Sequence, residues 1–217
     1  MKDYLLYVRY SRGLGSLSKN AQGDRFLHRR CAVRPGRCDR LPHRRRCNPV
    51  SNHAKAPNMT LIRGDHEQMC LDALGPDGSL RRRTIWYQNG GHPTFLELRH
   101  SYAEPKRADI LHYLAGSPDH VEVEVNHRCF YLVHGLPGAD TRTRLWGRPS
   151  SSIAAPLSGC TAVVGHTPTP ILNGPLDDPY VIWHGNGIIG IDCGCEGSDD
   201  LRKLACLRLE DLAEFYV

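Results

Sequence analysis

Four short segments of this chain put carboxylates and imidazoles where chemistry could use them: Arg63-Gly64-Asp65-His66-Glu67, Val133-His134-Gly135, Gly165-His166-Thr167 and Ile191-Asp192-Cys193-Gly194. Each follows a short apolar run, so each falls where a strand would release its chain into a loop. Asp65, His134 and His166 offer one carboxylate and two imidazoles. That donor set suits a divalent transition metal and leaves positions open for water or substrate. A lone histidine in a loop reads more readily as an ordinary exposed polar residue; the order and context of the four segments single these out.

Converging those side chains on one ion requires a scaffold. The apolar patterning predicts a short strand over 60–63, a helix over 65–74 and further helices over 94–99 and 109–114. Strands are predicted over 121–125, 129–133, 161–164, 181–183, 188–191 and 204–209. Helices come early and strands late, which suits a layered α/β domain whose sheets pack face to face and whose functional residues sit on loops at strand ends. At 217 residues with 40% hydrophobic content the chain is long enough for one domain with a substantial core.

No run of 18 or more apolar residues exists, and Met1 to Val8 lacks the features of a secretory signal. A soluble, cytoplasmic protein with no membrane partner is therefore expected. Nine cysteines, an odd count without the spacing of a small disulfide scaffold, suggest a reducing compartment and no disulfides. The charge is unevenly distributed: residues 1–58 hold 14 Lys and Arg against 3 Asp and Glu, a net of +11, whereas 59–217 hold 14 against 20, a net of −6. Nine arginines fall between Asp24 and Cys47 with no helical or strand periodicity. Residues 1–58 thus read as an atypical basic segment, disordered or translated out of frame, and 59–217 as the folded domain.

Taken together and in order, Leu61-Ile62-Arg63-Gly64-Asp65-His66-Glu67, Leu132-Val133-His134, Val164-Gly165-His166-Thr167-Pro168 and Ile191-Asp192-Cys193-Gly194 resemble the later motifs of the calcineurin-like metallophosphoesterases. Trp86-Tyr87-Gln88-Asn89-Gly90-Gly91 with Thr94, and Leu145-Trp146-Gly147-Arg148, are similar to segments of the bacterial serine/threonine-phosphatase branch. The resemblance covers residues 59–217. It implies a layered β-sandwich flanked by helices, and a hydrolase that cleaves phosphomonoesters of protein or small-molecule substrates with two divalent metals, commonly manganese, iron or zinc. Carried over by motif, Asp65, His134 and His166 would ligate the second metal and His66 would be the general acid. Arg148 would grip the substrate phosphate through paired guanidinium donors. Asp192 would orient its loop as a hydrogen-bond acceptor, Cys193 and Cys195 would be packing residues, and the tryptophans core or groove walls.

Two departures from the family pattern bear on activity. Asp65 stands where the family has asparagine, and the added negative charge should tighten the metal while blunting its Lewis acidity and repelling phosphate. The segment His134-Gly135-Leu136-Pro137 is one small residue shorter than usual, which would displace His134. The family's first two motifs, which ligate the first metal, are missing from residues 1–58: no histidine lies two residues after Asp3, Asp24 or Asp39. At most one metal is therefore expected, and impaired activity. The N-terminal strands those motifs belong to should be absent or disordered. Back-translating residues 1–22 and reading one nucleotide later permits a string containing aspartate, isoleucine, histidine and glycine. The same shift from Phe26 permits a close version of the second motif, and the two together point to an out-of-frame N-terminus.

Two rival readings remain. The arginine-rich stretch could neutralise phosphates as a nucleic-acid-binding arm, although the gaps between Cys31, Cys38 and Cys47 lack the close pairs of a zinc site. Alternatively, the chain keeps the phosphatase fold as an inactive relative.

Overall fold

A computed structural model of the chain describes residues 5–6, 60–150, 157–195 and 201–217. The expectations for residues 1–58, the basic arm included, lie outside the described residues, save at Leu5–Leu6. Strand β1 (Leu5–Leu6) pairs antiparallel with β7 (Ala205–Arg208), so the expectation of no N-terminal strand is corrected there. The free edge of a strand presents unpaired N–H and C=O groups that a short extended segment can satisfy.

The helical part comes first. Helix α1 spans Asp65–Leu74, matching the predicted range, and is followed by α2 (Leu80–Trp86), α3 (His92–Ser101) and α4 (Glu104–Gly116). A five-residue π-helical segment, Tyr87–Gly91, joins α2 to α3, with Gly90 at φ 88° taking the left-handed conformation there. Ser79 caps α2 by accepting a hydrogen bond from the Arg82 N–H. These helices bury one cluster of their own, formed by Met69, Cys70, Ala73, Trp86, Leu98, Ile110 and Leu114.

Five strands then form a mixed sheet in the order β2-β3-β4-β6-β5: β2 (His120–Val125), β3 (Arg128–Val133), β4 (Cys160–Val164), β6 (Ile188–Gly190) and β5 (Trp183–His184). The three central strands β3, β4 and β6 run parallel, and the two edge strands antiparallel to their neighbours. A second sheet, β1-β7-β8, ends in β8 (Glu214–Tyr216). The period-2 alternation of strand side chains separates two cores. Phe130, Leu132, Val163 and Ile189 pack with Ala205 and Leu207 of the second sheet and with Leu209 just beyond it, while Tyr131, Val133, Ala162, Val164 and Ile188 form a cluster on the opposite face. The chain is thus mixed α/β, with a five-stranded mixed sheet flanked by helices and a smaller sheet sharing one of its cores.

Residues 60–63, predicted as a strand, belong to no sheet. The Arg63 N–H donates instead to the Pro118 carbonyl at 2.7 Å, one bond that holds an extended segment without a ladder. Two further short helices, α5 (Thr141–Trp146) and α6 (Thr169–Asn173), follow β3 and β4. The expectation of no disulfides is also corrected: Cys129 and Cys160, directly opposite each other on parallel neighbours β3 and β4, are joined by one. An odd total says nothing about which cysteines a sheet register brings together. Among the described residues, no helix is long and apolar enough to cross a membrane.

Candidate metal centre

Three elements deliver one ligand each. Asp65 is the first residue of α1, released by Gly64; the Gly64 N–H donates to Glu67 Oε2 at 3.0 Å, the returning half of a capping box. His134 follows the last residue of β3, and His166 lies two residues beyond β4. Because β3 and β4 are parallel and in register through Val133 and Val164, their carboxyl ends release both histidines on the same side of the sheet. The Gly165 N–H donates to the His134 carbonyl at 2.9 Å and extends that alignment one step past the strands.

His134 Nε2 lies 3.0 Å from Asp65 Oδ1 and 3.2 Å from His166 Nδ1, and His166 Nδ1 lies 3.6 Å from Asp65 Oδ2. All three side chains are buried, and their donor atoms fall within 4.8 Å of one another. A single proton on His134 Nε2 can satisfy only part of this arrangement, whereas a cation accepts lone pairs from all three atoms. Two imidazole nitrogens and one carboxylate oxygen are ligands of the type that binds divalent transition ions. This buried group can hold one metal ion.

Local backbone chemistry supports the geometry. His166 has φ 57°, in the left-handed region, at the centre of a three-residue turn closed by the Thr167 N–H donating to the Gly165 carbonyl at 2.5 Å. Non-glycine residues are rare there, and such strain gathers at functional sites. Gly64 allows close approach: a Cβ on it would lie 3.0 Å from His134 Nδ1. The shortened segment after β3 does not displace His134 from the other two ligands. It folds back through Gly135 N–H to the Arg144 carbonyl at 2.7 Å and Leu136 N–H to the Thr143 carbonyl at 3.1 Å. Arg144 in turn is held by Asp119 Oδ2 at 2.9 Å.

The electrostatics suit ligation near neutral pH. Burial pushes the Asp65 carboxyl up, but the hydrogen bond and charge of His134, with the charges of His166 and His66, outweigh it and leave the group below its usual range. Burial, aided by His134, Arg148 and His66 and opposed by Asp65, pushes the His166 imidazole down to about 4, so its lone pair is free of a proton near pH 7.

The structure brings His66 and Arg148 near the three ligands in different ways. His66 is buried in the first turn of α1, and its N–H donates to Asp65 Oδ1 at 2.9 Å. Arg148 is exposed just after α5, and its charge reaches His166 and Asp192. Asp192 is buried; it accepts from the Gly194 N–H at 3.1 Å and joins no metal-binding group among the described residues. Cys193 packs in the core between the sheets. Gly64 and the Asp119–Arg144 pair are the supporting residues that sequence reasoning missed. Only the glycine left a signal, its place immediately before the carboxylate. No known protein-family model matches the chain, and no curated protein matches it.

Proposed function

We propose that this chain is a metal-dependent phosphoesterase of the calcineurin-like, serine/threonine-phosphatase type, with one divalent ion and impaired activity, acting on a phosphorylated protein or small molecule. The observation that carries the proposal is the meeting of Asp65, His134 and His166, three residues singled out by motif order, at one buried point. When bound, a manganese, iron or zinc ion would supply Lewis acidity toward a phosphoryl oxygen. His66 would donate a proton to the leaving oxygen, and Arg148 would orient the phosphate from the solvent side. The carboxylate of Asp65 adds negative charge beside the substrate phosphate and lowers the expected rate.

The proposed compartment is the cytoplasm. There the Cys129–Cys160 bond would form only under oxidising conditions. The inactive-relative reading is favoured by one specific observation: among the described residues a single metal-ligand group exists, enough for one ion and not for the two that the phosphatase mechanism uses. Hydrolysis of para-nitrophenyl phosphate with and without Mn²⁺ separates the two. The proposal expects weak turnover that requires Mn²⁺ and is lost in His66→Asn. Turnover indifferent to Mn²⁺ and to the Asp65→Ala change would refute it.

A further inference from the structure

At the opposite end of α1 from the metal ligands, the four helices enclose an open cleft of about 370 Å³. Asp65 and Leu74 are the first and last residues of α1, so a rise of 1.5 Å per residue separates the two locations by roughly 13 Å along the helix. Phe95, Leu98 and Leu111 line the cleft with apolar carbon, and Arg83, Arg99 and Arg107 with guanidinium groups against one carboxylate, Glu104.

The three arginines are not equivalent. Arg107 is committed: it donates to the Tyr102 carbonyl at 2.9 Å and the Arg99 carbonyl at 3.4 Å, and it pairs with Glu104. These bonds tie the end of α3 to the start of α4 and make Arg107 a fixed wall that offsets Glu104. The Arg83 guanidinium lies over the Phe95 ring, 5.5 Å from its centroid, and its Nε is buried with no hydrogen-bond partner. That Nε is enclosed, so an oxyanion in the cleft would meet the two terminal nitrogens of the guanidinium instead. Arg99 is exposed and lines the same cleft as Arg83.

We infer that this cleft is a binding site for a small organic monocarboxylate, its apolar body on Phe95, Leu98 and Leu111 and its carboxylate between Arg83 and Arg99. A planar carboxylate matches the guanidinium fork. Holding Arg83 against an aromatic face organises it before the ligand arrives, which lowers the cost of binding. The inference is independent of the proposed phosphoesterase activity, since it uses none of the metal-site residues.

Isothermal titration of the full chain with 4-phenylbutyrate, beside the uncharged 4-phenylbutan-1-ol, tests it. The acid should bind at least tenfold more tightly than the alcohol, and Arg99→Gln, an exposed change that leaves the helical core intact, should weaken the acid about tenfold and leave the alcohol unchanged. Arg83→Met, which keeps the apolar stem over Phe95, should do the same, while Asp65→Ala should have no effect. Equal binding of acid and alcohol, acid binding unaffected by Arg99→Gln, or no heat from either ligand up to millimolar concentration would overturn the assignment.

Discussion

At the scale of single residues, the centre depends on an unprotonated His166 imidazole beside the ionised carboxylate of Asp65. His166 carries this condition into stability. Its pKa drops from 6.5 to about 4 on folding because burial and the neighbouring His134, Arg148 and His66 together outweigh Asp65. The unfolded chain then binds a proton that the folded chain refuses. The His166 contribution is fully present above pH 6.5 and is lost as pH falls toward about 4. Denaturant titrations of the metal-free chain should therefore show a drop in stability between pH 7 and pH 5 that is smaller in a His166→Asn variant; identical drops in both proteins would contradict the account. Asp65, His134 and His166 were all readable from the sequence, because a ligand at the end of an apolar run is a local pattern. The left-handed backbone of His166 was not readable, since it is imposed by the Gly165 to Thr167 turn and by packing.

At the scale of elements, the parallel pair β3 and β4 sets the spacing of both histidines, and two features fix that pair. The Cys129–Cys160 bond closes a loop with a sequence separation of 31 residues. A link of that span contributes about 3 to 4 kcal/mol through restriction of the unfolded chain. Urea denaturation with and without a reductant measures the difference, and coincident curves would show that the bond contributes nothing. Downstream, Gly135 passes so close to α5 that a Cβ would lie 2.8 Å from the Gly147 nitrogen and 2.9 Å from the Thr143 and Arg144 carbonyl oxygens, all rigid backbone. Gly135→Ala should cost about 1–3 kcal/mol by overpacking and weaken metal binding by moving His134; a variant with unchanged midpoint and affinity would be inconsistent with this packing. The sequence specified the helix at Asp65–Leu74 and the strands β2, β3 and β4 well, because their apolar periods are long enough to count. It missed α2, whose Leu80-Arg81-Arg82-Arg83-Thr84-Ile85-Trp86 run buries Trp86 alone, and it missed α5 and α6, too short to show a period. The disulfide went unread for a related reason: which cysteines face each other depends on a register between strands 31 residues apart.

At the scale of the whole molecule, the layered α/β organisation followed from helices preceding strands, while the partition into a helical cluster and a core between two sheets emerged only from the packing. Large apolar side chains remain at the surface: Leu80 is 78% exposed, Ile171 69% and Leu176 53%. Among the described residues the five-stranded sheet ends in the edge strands β2 and β5. Exposed apolar side chains and strand edges promote association between chains. Low soluble yield and a broad thermal transition are expected, and a high yield with one sharp transition would argue for a self-sufficient domain. The central claim is narrower and is tested most directly by titrating the folded chain with Mn²⁺ in a calorimeter, beside a variant in which Asp65, His134 and His166 are all alanine. The account predicts one Mn²⁺ per chain for the native sequence and at least a hundredfold weaker binding for the variant; two ions per chain, none, or equal affinity in both proteins would contradict it.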